Sequence, residues 1–188
     1  DAAREDAQAA RNDQTQTPEF KRWFGDSKVV DADGNPQVVY HGTASDFTQF
    51  IPKRATDKEG RKLGMGWGRE KFYFTTEPSA ASSAAEWASA SKDRPGNTPN
   101  VMPVYLAVNN PIAAPAYTAM VDEYVAGGKT RDQAIQATDK RLRDRGVDGI
   151  VDVDTGGIAV FSPEQIKSAI GNNGNFDPQN PDIRYARG

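Results

Sequence analysis

At 188 residues the chain has the size of one ordinary domain, or one domain plus an appendage, and can bury a core without metal or disulfide staples. It has no cysteine, which excludes a disulfide framework and a thiolate metal site. A net charge of −3 and a pI near 5.3 give no broad basic surface for nucleic acid, although 23 Lys and Arg residues leave room for a local basic groove.

No run approaches the roughly 20 apolar residues needed to span a bilayer, and no signal peptide is recognisable. We therefore expect no membrane association. The chain starts at Asp1 without a methionine, which reads as a piece of a longer polypeptide. Residues 1–16 are Ala-rich and polar, and are expected to form a linker or frayed helix ahead of a domain over residues 17–188. Thr17-Pro18-Glu19 is a helix start: a hydroxyl cap, a proline at the first helical position and an acid in the first turn. The helix should stop at Gly25. Residues 28–30 and 37–40 flank the turn-rich Asp31-Ala32-Asp33-Gly34-Asn35-Pro36, which predicts a hairpin whose second strand runs into His41-Gly42-Thr43.

A polar, basic, glycine-rich loop follows up to Lys71-Phe72-Tyr73-Phe74-Thr75, a short aromatic strand. Its Gly64-Met65-Gly66-Trp67-Gly68 run is not a dinucleotide fingerprint, since no strand precedes it and no helix follows. Next come an Ala- and Ser-rich helix over 78–91, a strand over 101–108, and helices near 117–126 and 131–145, the last closed by Gly146. Strands over 149–153 and 158–161, a capping box at Ser162-Pro163-Glu164-Gln165 and a turn-rich tail complete the chain. Short strands interrupted by helices, without strict alternation, indicate the α+β class.

The single histidine, His41, sits at the end of an apolar strand and is followed by Gly42, which bares main-chain N–H and C=O groups to a ligand. Tyr73 points away from Phe72 and Phe74 on its strand, and a flat phenol ring there makes one wall of a slot for a planar group. Together, Tyr40-His41-Gly42-Thr43 and Phe72-Tyr73-Phe74-Thr75 resemble two of the three signature motifs of the His–Tyr–Glu class of ADP-ribosyltransferases. That class includes diphtheria-toxin-like toxins and the poly-ADP-ribose polymerases. From TPEFKRWFGDSKVV to FSPEQIKSAIGNNGNFDPQNPDIRYARG the chain is similar to the ADP-ribosyltransferase domains of phage head and polyvalent proteins, with relatives in bacterial polymorphic toxins.

The resemblance implies a split antiparallel β-sheet with inserted helices. It implies NAD as substrate without a metal, a protein or nucleic-acid acceptor, and a phage- or toxin-type effector delivered into a bacterial cytoplasm. It assigns His41 to an adenosine-ribose hydroxyl, the main chain of Gly42 to the nicotinamide carboxamide, and Tyr73 to the nicotinamide ring. Thr43 and Phe74 belong to the same motifs, Trp87 is the candidate for the ring's other face, and Ser83 for the carboxamide. Arg54, Lys62 and Arg69 are candidates for the pyrophosphate.

The third motif calls for a glutamate where Phe161, counted back, puts Gly157. A carboxylate there would stabilise positive charge developing at the sugar carbon. Asp154 is the candidate replacement, with Asp152 and Glu164 as neighbours; Gln165 is expected to be structural. The alternatives are a degenerate NAD or nucleotide binder, a head-assembly module, or an RNA 2′-phosphotransferase, which one histidine makes a poor fit.

Overall fold

The computed structural model describes residues 14–44, 47–50, 67–68, 70–90, 98–172, 174 and 177–184. Among them, β1 is Val39–Thr43, β2 Phe72–Thr75, β3 Asn100–Leu106, β4 Pro111–Ala113, β5 Gly149–Asp152, β6 Gly157–Val160 and β7 Ile166–Ser168. The helices are α1 Pro18–Phe24, α2 Pro78–Ser89, α3 Ala114–Ala126 and α4 Arg131–Arg143, with one 3-10 turn at Pro163–Gln165. The strands form one mostly antiparallel sheet in the order β4-β5-β6-β2-β1-β3-β7. The α+β class expected from the sequence is what the chain adopts.

Local chemistry accounts for most element boundaries. Thr17 caps α1 by accepting from the Phe20 N–H at 3.1 Å, and Gly25 ends it at φ 55°. Thr130 and Gln133 make a reciprocal capping box for α4. Pro115 sits in the first turn of α3, which lets that helix start three residues before the expected 117. The expected hairpin before His41 is only a loop with a single Val30–Pro36 bridge. Proline has no N–H to extend a ladder there. The sequence reading missed β4, which pairs in parallel with β5. Gln14, ahead of α1, is buried and donates to the Ala169 carbonyl at 2.7 Å.

Alternation sorts the side chains onto two faces. Val39, Phe72, Phe74, Val104, Leu106, Ile158 and Val160 share one cluster, closed by Val29, Phe50 and Ile183 from connecting segments. The opposite face carries the helices. Helices α3 and α4 bring Tyr117, Val121, Ala134 and Leu142 onto Ile150 and Ala159. Phe20, Trp23 and Phe24 of α1 pack on Tyr105 and Ala107. Helix α2 lies against β1, where a Cβ on Gly42 would come within 2.1 Å of the Ala81 carbonyl oxygen. Close helix–strand contact is thus a structural reason for that glycine.

Among the described residues no helix is long and apolar enough to cross a membrane.

Candidate functional site

The sheet opens between β1 and β2. Their ladder registers one pair, Tyr40 with Thr75, whereas β1 keeps five pairs with β3 and β2 keeps four with β6. The direction of the main-chain groups along these lips follows from Pro103. It faces Tyr40 but has no N–H, and its carbonyl accepts from Ala169 on the β7 side. Tyr40 and Gly42 therefore aim their N–H and C=O groups away from β3, toward β2. Tyr40 meets Thr75; Gly42, two residues on, faces the opening.

His41 bridges the opening with its side chain. Its Nδ1 lies 2.8 Å from the Tyr73 carbonyl oxygen. A carbonyl only accepts, so Nδ1 carries the proton and Nε2 is the acceptor of the neutral ring. The imidazole is held by edge contacts with Phe50 and Phe47, at 4.9 and 6.0 Å between centroids, and by Phe74 at 5.6 Å. His41 is thus fixed in tautomer and in orientation.

The Tyr73 ring lies on the other face of the sheet, as its alternation with Phe72 and Phe74 requires. Its hydroxyl donates to the Gly68 carbonyl, and burial pushes its pKa up, with Asp139 adding to the effect. The phenol is therefore neutral at ordinary pH. The Trp67 indole stacks on it with centroids 6.1 Å apart and planes at 26°. The sequence reading missed Trp67 in this place, since nothing in a glycine-rich loop shows which strand its one aromatic will meet.

The remaining candidates are placed as follows. Thr43 is buried at the end of β1. Phe74 is a core residue beneath His41 rather than a lining one. Ser83 is exposed on α2 and its hydroxyl turns back to the Ser79 carbonyl at 3.1 Å. Trp87 is 75 % exposed, so Trp67 and not Trp87 is the tryptophan against Tyr73. Helix α2 turns Ala81 and Ala85 inward and leaves Trp87 outside. Arg54, Lys62 and Arg69 lie outside the described residues, as does most of the glycine-rich loop.

Gly157 pairs with Thr75 on one side and with Asp152 on the other. A Cβ there would meet the Thr155 hydroxyl at 3.3 Å, the Trp67 ring at 3.5 Å and the Asp152 Cβ at 3.9 Å. The space that a side chain at 157 would enter is therefore bordered by the Trp67 indole and the Asp152 β-carbon. Asp154 is exposed in the turn between β5 and β6, and its N–H donates to Asp152 Oδ1 at 3.1 Å. Hydrogen bonds from Thr155 and from the turn's main chain hold the Asp152 pKa below the ordinary carboxylate value. Glu164 lies beyond the far end of β6, where its carbonyl accepts from Trp23 Nε1 at 2.8 Å. Gln165 is structural: it caps Ser162 and donates to the carbonyls of Ala107 and Asp148, both at 2.9 Å.

Surface hollows of about 440 Å3 beside Lys140 and Arg141, and about 530 Å3 between Trp23 and Phe161, open away from both lips. Among the described residues no group of three or more His, Asp or Glu is placed to hold a metal ion.

No curated protein and no solved structure matches the chain in sequence or structure searches. A family model does: that of the ADP-ribosyltransferase in polyvalent proteins, over residues 31–176, which takes in both lips of the opening, Gly157 and the 3-10 turn. With well over half of its length matched, and with a mostly antiparallel sheet opened beside the His41 and Tyr73 motifs, the chain belongs to the family of ADP-ribosyltransferases in polyvalent proteins.

Proposed function

We propose that the chain is an NAD-dependent ADP-ribosyltransferase that binds NAD in the opening between β1 and β2. The observation that carries this reading is the one-pair ladder, Tyr40–Thr75, with His41 and Gly42 on one lip and Tyr73 on the other. His41 Nε2 accepts from a ribose hydroxyl, the outward main chain of Gly42 pairs with the carboxamide, and the Tyr73 ring stacks on the nicotinamide. The glycosidic C–N bond breaks and its electron pair leaves with neutral nicotinamide. The acceptor's oxygen or nitrogen then attacks the sugar carbon and loses its proton to solvent. Asp152 stands across the ladder from Gly157 and is the carboxylate best placed to face the developing charge. The acceptor is a macromolecule or water. The parent polypeptide is a phage or toxin effector that acts in a bacterial cytoplasm.

Nicotinamide release from NAD tests this. The wild type should release it, and a His41→Ala, Tyr73→Ala double variant should not. Asp152→Asn should slow release by about 10²–10³, the usual cost of losing one preorganised electrostatic group. Asp154→Asn should slow it far less; equal loss from both would remove Asp152 from the mechanism.

One observation favours a second reading, a binder without turnover: glycine occupies position 157 and the Trp67 indole borders its space. Saturable NAD binding with no release above that of the double variant would establish it.

A further inference from the structure

Helix α4 sorts its charges onto different rows. On the inward row Asp139 is buried, and it takes the Lys71 ammonium at 2.5 Å and the Tyr117 hydroxyl at 2.8 Å. That carboxylate is matched inside the fold. Toward the end of the helix, Lys140, Arg141, Arg143 and Arg145 fill four of six consecutive positions, in a chain whose net charge is −3. Asp144 is the one acid among them, and Lys140 takes it at 2.6 Å. Among the described residues no carboxylate lies within ion-pair distance of Arg141, Arg143 or Arg145. Arg143 lies over the Phe161 ring at 5.0 Å, which leaves Arg141 and Arg145 as the unmatched cations of the other side. A helix C-terminus favours cations of any kind, all round its axis. It does not explain why two arginines share a row with a hollow and an aromatic ring.

The row is set by spacing. Ala137, Arg141 and Arg145 recur every fourth residue. The turn after α4 keeps the helical path long enough to hold Arg145 in line: the Asp144 N–H donates to Lys140 at 2.9 Å and the Arg145 N–H to Leu142 at 3.0 Å. With Lys140, Asp144 and Tyr124 of α3, these residues line an open hollow of about 440 Å3. From Ala137 to Arg145 the row covers ~12 Å of helical rise, so an occupant that meets all of it is extended rather than compact. The fork of an arginine matches the oxygens of a phosphate. Tyr124 is half-buried; it packs against the α3–α4 core and gives the rest of its surface to the hollow. An aromatic ring so placed stacks on a nucleobase of any kind. An acidic peptide would satisfy the arginines but make no use of the ring.

We propose that this hollow is a docking surface for a single strand of nucleic acid, with Arg141 and Arg145 on its phosphates and one base against Tyr124. Lys140 stays with Asp144 and adds little. The surface lies apart from the opening between β1 and β2, so this inference does not depend on NAD binding.

Fluorescence anisotropy of the full chain with a short labelled oligothymidylate tests it. Binding should saturate and weaken with salt at a log–log slope of about −1.4, the value for two phosphates of a single strand. Arg141→Gln and Arg145→Gln should each weaken binding and take about 0.7 off that slope. Tyr124→Leu should weaken binding about five-fold or more and leave the slope unchanged. An abasic strand of the same length should show the same loss on the wild type, which tests the stacking contact even if Tyr124→Leu does not fold. Arg131→Gln removes a guanidinium already paired with Asp122 at 3.5 Å and should change nothing. No saturable binding, equal losses from Arg131→Gln and Arg141→Gln, or an abasic strand or polyglutamate that binds as well as oligothymidylate would overturn the proposal.

Discussion

Gly42 is the residue on which the proposed binding and the packing make the same demand. Helix α2 approaches so closely that a methyl group at 42 would meet the Ala81 carbonyl at 2.1 Å and the Ala85 nitrogen at 2.9 Å, and neither is a flexible side-chain end. Gly42→Ala should therefore cost about 1–3 kcal/mol by overpacking, or more if α2 cannot shift. Urea denaturation would measure it. Gly157 differs, because its nearest neighbours are the ends of Thr155 and Trp67 at 3.3 and 3.5 Å. An alanine there should leave stability nearly unchanged, and the same titration provides the comparison. One glycine is fixed by what covers it; the other leaves a space that side chains border.

At the scale of elements, the join between β2 and α4 depends on a buried ion pair. Removing one partner leaves the other charged and unmatched, so Asp139→Ala should cost about 3–5 kcal/mol. Lys71→Met/Asp139→Leu should cost much less, since both charges go together. Chemical denaturation of the three proteins checks the order. This join was not legible in the sequence. Lys71 and Asp139 are 68 positions apart, and each reads alone as a solvated charge at the start of a strand or on a helix. The same limit hid Trp67. By contrast, β1 and β2 were legible because β-branched and aromatic residues alternate up to His41 and around Tyr73, and side-chain alternation is a local property. The glycine at the expected third-motif position was legible by counting back from Phe161. Asp152, its cross-strand partner, was in view but not ranked first, because cross-strand neighbours are set by register, and register appears only when the strands pair. Strand β4 escaped for a related reason: three residues after Asn-Asn-Pro carry no pattern until β5 lies beside them.

At the scale of the molecule, the C-terminal segment is tied to the sheet by the main-chain bond from Ser168 to Ile183 and by one buried lysine. Lys167 on β7 is buried, and its ammonium contacts the carbonyls of Asn180, Asp182 and Asp177 at 2.5, 3.3 and 3.4 Å. Burial lowers its pKa to about 8, against the pull of Asp182, Asp177 and Glu164. The folded state then releases this proton at lower pH than the unfolded chain, whose lysine keeps the ordinary value of 10.5. Between those values the unfolded state binds more protons, so stability should rise with pH across that window and lie flat below about 8. Urea midpoints from pH 7 to about 9.5 should show the rise in the wild type, and Lys167→Met should lack it.

The opening beside Tyr40–Thr75 also changes how many borders the sheet has. An unbroken seven-stranded sheet has two, at β4 and β7 here. Parting β1 from β2 adds two more, facing each other inside the molecule. Borders on the outside of a protein invite foreign strands, and proteins must blunt them. Inner borders are open only to what fits between them, so the Gly42 main chain can remain available for recognition without becoming a template for aggregation. The His41 imidazole on the Tyr73 carbonyl takes up part of the facing border in the meantime.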